Sequence, residues 1–341
     1  MNGTLKTLAI GALGAAVAQV LGLPLAPLLG ALAAVLVAGR RLQGLTVAGP
    51  ARLAGLVLAG IFLGSRFPPD LMTRVAEWPV TLIAIMVYSV LGIVLATLYF
   101  RRIAGYDKAT ALFSAIPGGV LTMMALGDRT GGRVETIMLS HSFRIMLAVV
   151  TIPLALVHGS RVVTPPPLLG TVTPGTFALL VVVGGAAALA GRRLRIPAAE
   201  ILAPMFATAA LYIFAGVHGE FPSLAFAFGL WVAGSALGTQ ITGLTFRAMG
   251  GLLVHSAVVF VILAALSAAF AFALHGVSSE PLANLFLAFT PGGIAEMSGV
   301  SVALGHDPAF VGTHHAVRIL TCSVLAPIIA ARLSPARTVM T

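Results

Sequence analysis

Twelve apolar stretches, separated by short polar loops, run along the whole chain. They occupy residues 4–21, 24–39, 51–65, 78–100, 109–127, 134–158, 175–190, 198–217, 222–240, 249–274, 282–304 and 309–331. A helix of about 20 apolar residues crosses the ~30 Å hydrocarbon core of a bilayer. The pattern therefore predicts an all-α polytopic membrane protein in which most of these stretches are transmembrane helices.

The second half of the chain repeats the first at a spacing of 174 residues. The matched residues are Pro117, Gly118 and Gly119 with Pro291, Gly292 and Gly293, Met123 with Met297, His141 with His315, Arg144 with Arg318, and Pro153 with Pro327. Uncommon residue types match best, so composition does not explain the agreement. The repeat predicts a first membrane unit over 1–160, a linker over 161–174, a second unit over 175–332 and a tail over 333–341.

The fifth apolar stretch of each unit carries Pro-Gly-Gly near its middle, at 117–119 and 291–293. Proline lacks a backbone donor and clashes with the preceding turn, and two glycines weaken the helix further. Each of these stretches is expected to be either a broken crossing helix or a re-entrant hairpin.

The positions of Lys and Arg favour the arrangement in which each Pro-Gly-Gly segment enters and leaves on one side. Each unit then crosses five times, the second unit is inverted, and 15 of the 20 Lys and Arg lie on one side, with three on the other and two in the membrane. If both segments crossed the membrane, ten Lys and Arg would lie on one side and eight on the other. Because Lys and Arg concentrate in cytoplasmic loops, we expect two inverted-topology repeats, about ten transmembrane helices and both termini in the cytoplasm.

The net charge of +10 does not indicate nucleic-acid binding, because the basic residues lie between apolar stretches rather than on one soluble face. Cys322 is the single cysteine, and the histidines fit no metal motif such as HExxH. There is no P-loop for ATP. We therefore expect no metal, no cofactor and no catalytic residue.

Two apolar stretches carry a histidine and an arginine at their centre, His141 with Arg144 and His315 with Arg318. Residues three apart share a helix face. An arginine at the membrane centre costs at least ~2.5 kcal/mol on insertion scales, so each needs a partner or a wet cavity. Two interpretations remain open. The four side chains bind an anionic substrate or carry a coupling proton, or they donate to carbonyls freed by the breaks and stabilise the fold.

Glu296 is the acidic residue beside a break, three residues after Gly293, and Thr122 takes its place in the first unit. A carboxylate at membrane depth is costly unless it is paired or protonated. We expect Glu296 to pair with Arg318 or Arg144, or to carry a coupling proton or Na⁺. The candidate substrate-binding residues are Arg144, Arg318, His141, His315, Pro117, Gly118, Gly119, Pro291, Gly292, Gly293, Thr122, Met123 and Ser298.

The run AIPGG…MM followed by SHSFRI…P, and then FTPGG…EM followed by HHAVRI…P, resembles the bacterial AbrB-type membrane protein family over residues 10–332. The resemblance implies the fold and a multi-pass location in the bacterial inner (plasma) membrane. The family carries the labels ammonia monooxygenase and regulator of gene expression. A copper or iron oxygenase needs a cluster of His and carboxylate ligands, whereas the deep histidines here are flanked by arginine. No exposed basic module for DNA is present.

Inverted repeats with discontinuous helices are a recurrent plan of secondary transporters, and helix N-termini freed at the breaks favour an anion. The sequence thus predicts a secondary transporter of a small organic anion, coupled to H⁺ or Na⁺, with a basic midplane site between the repeats. The alternative is a membrane-bound ligand sensor that affects gene expression indirectly. The expected partners are the lipid bilayer, a small anionic substrate and a second copy of the chain.

Overall fold

The computed structural model describes residues 2–157, 167–241 and 246–333, and each regular element in those ranges is an α-helix. The helices are α1 (Asn2–Val20), α2 (Ala26–Ala38), α3 (Gly49–Gly64), α4 (Leu71–Val75), α5 (Pro79–Arg102), α6 (Lys108–Ala115), α7 (Val120–Arg129), α8 (Val134–Val157), α9 (Pro174–Arg193), α10 (Ala199–Phe214), α11 (Ser223–Ile241), α12 (Phe246–His275), α13 (Leu282–Phe289), α14 (Ile294–Ala303) and α15 (Pro308–Leu333). Seven helices in the described ranges are long and apolar enough to cross a membrane. The prediction of an all-α, multi-pass membrane protein is confirmed as to its helical class and its several candidate spans. Residues 161–166 of the predicted linker and 334–341 of the predicted tail lie outside the described residues.

Both Pro-Gly-Gly segments interrupt a helix, as the sequence predicts. The chain leaves helical geometry between α6 and α7, and again between α13 and α14. All four of these short helices begin and end at positions 174 residues apart in the two halves. The same Pro-Gly-Gly motif therefore separates the same pair of short helices in both halves, and we call each pair a broken helix.

The helices pack into two bundles, and each bundle takes helices from both halves of the chain. The six-helix bundle contains α1, α2, α3, α9, α10 and α11, in which α2 packs on α11 and α3 packs on α10. The eight-helix bundle contains α5 to α8 and α12 to α15, in which α5 contacts α15 and α8 contacts α12. The bundles meet where α3 contacts α14 and α15, and where α8 contacts α11. Both broken helices thus belong to the eight-helix bundle, and α14 of the second one contacts α3 of the six-helix bundle.

Close backbone contacts hold the six-helix bundle together. A Cβ at Gly60 on α3 would lie 2.5 Å from the carbonyl oxygen of Ile201 on α10, and one at Gly234 on α11 would lie 2.3 Å from that of Leu28 on α2. The two contacts are equivalent in the repeat. Without a hydrophobic effect between helices in lipid, small residues at the interface allow the close approach that dispersion requires.

The loops at the outer ends of the broken helices are joined by equivalent hydrogen bonds. In the first half, the backbone N–H of Arg133 donates to Thr110 Oγ1 over 2.7 Å. In the second half, the backbone N–H of Asp307 donates to Asn284 Oδ1 over 3.2 Å. Each bond ties the first half-helix to the start of the long helix that follows, so the broken segment is anchored at its outer end.

We predict that Gly234→Ala destabilises the protein, because the added methyl group would overlap the Leu28 carbonyl oxygen of α2. Overpacking of this kind costs about 1–3 kcal/mol, so the thermal midpoint of the purified protein in detergent should fall. Gly185→Ala on α9 is the matched control, since a Cβ there meets nothing within 4 Å. Equal midpoints for the two variants would contradict the close packing of α11 on α2.

Candidate functional site at the helix breaks

The end of each first half-helix presents carbonyl groups that its own helix cannot satisfy. α6 ends at Ala115 and α13 ends at Phe289, and the last four carbonyls of a helix lack intrahelical partners. Within a membrane each unsatisfied backbone group costs several kcal/mol. Donors must therefore come from neighbouring helices.

In the first half, α8 supplies these donors from His141 and Arg144. The Nε2–H of His141 donates to the carbonyl oxygen of Phe113 over 2.8 Å. Arg144 donates from Nη2 to Nδ1 of His141 over 3.2 Å, and from Nη1 to the carbonyl oxygen of Ala115 over 3.5 Å. Arg144 thus donates to His141, and His141 in turn donates to the last turn of α6.

In the second half, α15 repeats the arrangement, and its arginine makes shorter hydrogen bonds than Arg144 does. His315 Nε2 donates to the Leu287 carbonyl over 3.0 Å, and Arg318 Nη2 donates to His315 Nδ1 over 2.8 Å. Arg318 also donates to the carbonyl oxygens of Thr290, over 2.6 Å, and of Gly292, over 2.5 Å. The guanidinium therefore spans the break itself, because one of its acceptors lies within the Pro-Gly-Gly segment.

These contacts bear on the two interpretations that the sequence leaves open. His141 and His315 are 0% exposed, Arg318 is 3% exposed and Arg144 is 7% exposed. Each imidazole donates from Nε2 and accepts at Nδ1, which holds it as one neutral tautomer. A second proton on Nδ1 would face the guanidinium that donates there. The geometry favours the role in fold stability, and direct substrate binding by these four side chains stays a prediction.

A cavity of about 140 Å³ lies where the breaks meet the six-helix bundle. We call it the central cavity. Its walls include Arg52 from α3, Gln240 from α11 and Ile145 from α8, with Val120 at the start of α7 and Glu296 in the first turn of α14. The first four N–H groups of a helix have no intrahelical acceptor and carry partial positive charge. The cavity is therefore lined by the N-terminal ends of both second half-helices.

Glu296 bends back over the start of its own helix. Its Oε2 lies only 2.0 Å from where a Cβ at Gly293 would be, which places the carboxylate over the N-cap of α14. The predicted ion pair with Arg144 or Arg318 does not form, since among the described residues Glu296 is in no ion pair. The reason is that both arginines already donate to the histidines and the freed carbonyls.

The other predicted residues are divided between the break and the protein interior. Pro117, Gly118, Gly119, Pro291, Gly292 and Gly293 form the two interruptions. Met123 and Ser298 are 0% exposed, and the Ser298 Oγ lies 3.3 Å from where a Cβ at Gly312 would be. Thr122 is exposed. Sequence reasoning missed Arg52 and Gln240, which line the cavity from the other bundle.

We predict that Arg318→Ala lowers the thermal midpoint in detergent more than Arg144→Ala does. The first variant leaves the Thr290 and Gly292 carbonyls without their arginine donor, and a buried unsatisfied group costs about 1–3 kcal/mol. The Arg144→Ala variant removes one 3.5 Å contact with a carbonyl oxygen and the hydrogen bond to His141. Arg101→Ala, at the exposed end of α5, is the control. Wild-type stability in both buried variants, together with lost ligand binding, would support the substrate-binding interpretation instead.

Comparisons with known proteins place the chain in a family. A family model described as "Transition state regulatory protein AbrB" matches residues 27–334. The chain is 25% identical over 294 residues to "Uncharacterized protein YhjN" of Bacillus subtilis (strain 168), covering 80% of this chain and 76% of that protein. It is 24% identical over 327 residues to "Putative regulator AbrB" of Escherichia coli (strain K12), covering 92% and 91%. Because the family model spans most of its length, this protein belongs to the AbrB family.

Proposed function

We propose that this protein is a secondary transporter of a small organic anion, coupled to H⁺ or Na⁺. The observation that supports this best is the location of the central cavity, which lies between the two bundles and is lined by the N-terminal ends of α7 and α14. Irregular backbone at membrane depth is tolerated where it is buried in protein or lines a cavity. Discontinuous helices that converge on a central site are a recurrent feature of secondary transporters.

The proposed topology has two inverted repeats of five crossings each, with both termini in the cytoplasm of a bacterium. The distribution of Lys and Arg supports it, since 15 of the 20 then lie on one side. The exchange of helices between the halves supports a two-fold relation, because α2 packs on α11 as α10 packs on α3. In this topology the Pro-Gly-Gly segments are discontinuous or re-entrant and do not add crossings.

The proposed movement is a displacement of the eight-helix bundle relative to the six-helix bundle. The cavity walls come from both bundles, so such a displacement would expose the cavity to alternate sides. One side-chain hydrogen bond across this interface joins Ser142 Oγ to Gln240 Oε1 over 2.6 Å. The six-helix bundle, with its close glycine contacts, is suited to act as the fixed partner. In this proposal Arg52 and the N-terminal end of α7 attract the anion.

A membrane-bound sensor is the second candidate, because the family description and one relative's name are those of regulators. A sensor would bind its ligand in the same cavity without passing it across the membrane. The two proposals differ in one measurable property, which is whether the cavity opens to one side or to both.

We predict that a cysteine in the central cavity reacts with a membrane-impermeant maleimide from both sides of the membrane. Cys322 is buried and is the single cysteine of the chain, so Cys322→Ala provides a cysteine-free background. Val120→Cys and Ile145→Cys would then report on the cavity wall. Labelling from each side would be measured in vesicles of defined orientation, with the reagent inside or outside.

The control is Val94→Cys on the exposed apolar face of α5, which should react from neither side because lipid covers it. Reaction of both cavity cysteines from one side only would reject alternating access and favour the sensor. A flux assay with small carboxylates, phosphonates and sulfonates, with and without Na⁺ and at two pH values, then tests the anion and its coupling ion.

A further inference from the structure

The central cavity has a basic side chain on one bundle and an acidic side chain on the other. Arg52 extends from the first turns of α3 in the six-helix bundle, and Glu296 lies in the first turn of α14 in the eight-helix bundle. Among the described residues, neither side chain is in an ion pair. The two side chains therefore line the same cavity without forming an ion pair with each other.

The two broken helices also present different electrostatic ends to this cavity. α14 has the Glu296 carboxylate in its first turn, which offsets the partial positive charge of its N-terminus. α7 has no acidic residue in its first turn, because Thr122 takes that position. The positive character of the cavity thus comes from Arg52 and α7, and its negative character comes from Glu296.

The remaining walls are largely apolar, with Leu56, Val120, Ile145 and Leu237 among them, and Gln240 adds an amide. The cavity volume is about 140 Å³, and a cavity of about 150 Å³ accommodates a molecule the size of benzene. A ligand of about six or seven non-hydrogen atoms is therefore the right scale. The Glu296 carboxylate would repel an anion of this size that has no positive group. It would attract the ammonium group of a ligand that carries both charges.

We propose that the substrate is a small zwitterion whose carboxylate binds beside Arg52 and the N-terminus of α7 and whose ammonium group binds Glu296. This rests on the proposed transport function and narrows its substrate class. Arg52 and Glu296 bind from different bundles, so the bound zwitterion also bridges the interface that moves. An amino acid with a short aliphatic chain has the required charges, size and apolar surface.

The test compares four matched compounds on the purified full chain: α-aminobutyrate, γ-aminobutyrate, butyrate and butylamine. Dissociation constants would be measured by equilibrium dialysis and checked by the thermal midpoint in detergent. At least one aminobutyrate should bind at least about tenfold more tightly than butyrate and butylamine, and tenfold corresponds to about 1.4 kcal/mol. Arg52→Gln and Glu296→Gln should each remove that preference.

The variants are chosen so that the fold survives. A glutamine at position 296 can still cap the N-terminus of α14 as a glutamate does, and Arg52 is exposed. Arg101→Gln and Glu77→Gln are charge-matched controls at exposed sites outside the cavity wall. Both controls should bind the aminobutyrate as the wild type does.

Three results would overturn the inference. In the first, butyrate binds as tightly as either aminobutyrate and Glu296→Gln leaves its binding unchanged. In the second, butyrate binds only with Na⁺ or at low pH and Glu296→Gln removes that dependence, which makes Glu296 the site of the coupling ion. In the third, none of the four compounds binds the folded protein. In all three cases, cysteine labelling from both sides would still support the proposed transport function. If an aminobutyrate binds but the cysteines react from one side only, the transport function is rejected and the substrate class stands.

Discussion

The structure depends on satisfying the backbone groups that two interrupted helices expose inside a membrane. Water is absent there, so each freed carbonyl needs a donor from the protein. Arg318 with His315, and Arg144 with His141, provide such donors to the ends of α13 and α6. A buried arginine is costly by itself, and its hydrogen bonds to carbonyl oxygens and to the neighbouring histidine offset part of that cost.

The two ends of each break are therefore different in kind. At the C-terminal end of each first half-helix, an arginine and a histidine donate hydrogen bonds to backbone carbonyl oxygens. The N-terminal end of the second half-helix faces the central cavity, where Val120 and Glu296 lie on the wall. Hydrogen bonds from neighbouring helices hold the first end, and the second end lies beside the cavity. In the proposed function, one end of each break stabilises the fold and the other end faces the ligand.

The repeat preserves the hydrogen bonds that stabilise the fold and differs where a ligand would bind. In both halves the hydrogen bond from the histidine joins it to a carbonyl group 28 residues earlier in the sequence. The hydrogen bonds between the loops at the outer ends are likewise equivalent. In contrast, Glu296 in the second half stands where the first half has Thr122. Two equivalent helix breaks thus border a cavity whose polar side chains differ from one break to the other, and the proposed ligand with two different ends suits such a cavity.

Most of the helices, the positions of both breaks and the 174-residue repeat could be predicted from the amino-acid sequence, because apolar length and Pro-Gly-Gly act locally along the chain. The sequence also indicated that Arg144 and Arg318 need partners at depth. Which partners they take depends on the packing of α8 on α6 and of α15 on α13, since both a carbonyl oxygen and an anion can accept a hydrogen bond from a guanidinium. The same is true of Arg52, which the sequence places among the loop charges and which the contact between bundles brings to the cavity wall opposite Glu296. Side-chain neighbours that come from different bundles are set by packing over long sequence separations, and no local pattern records them.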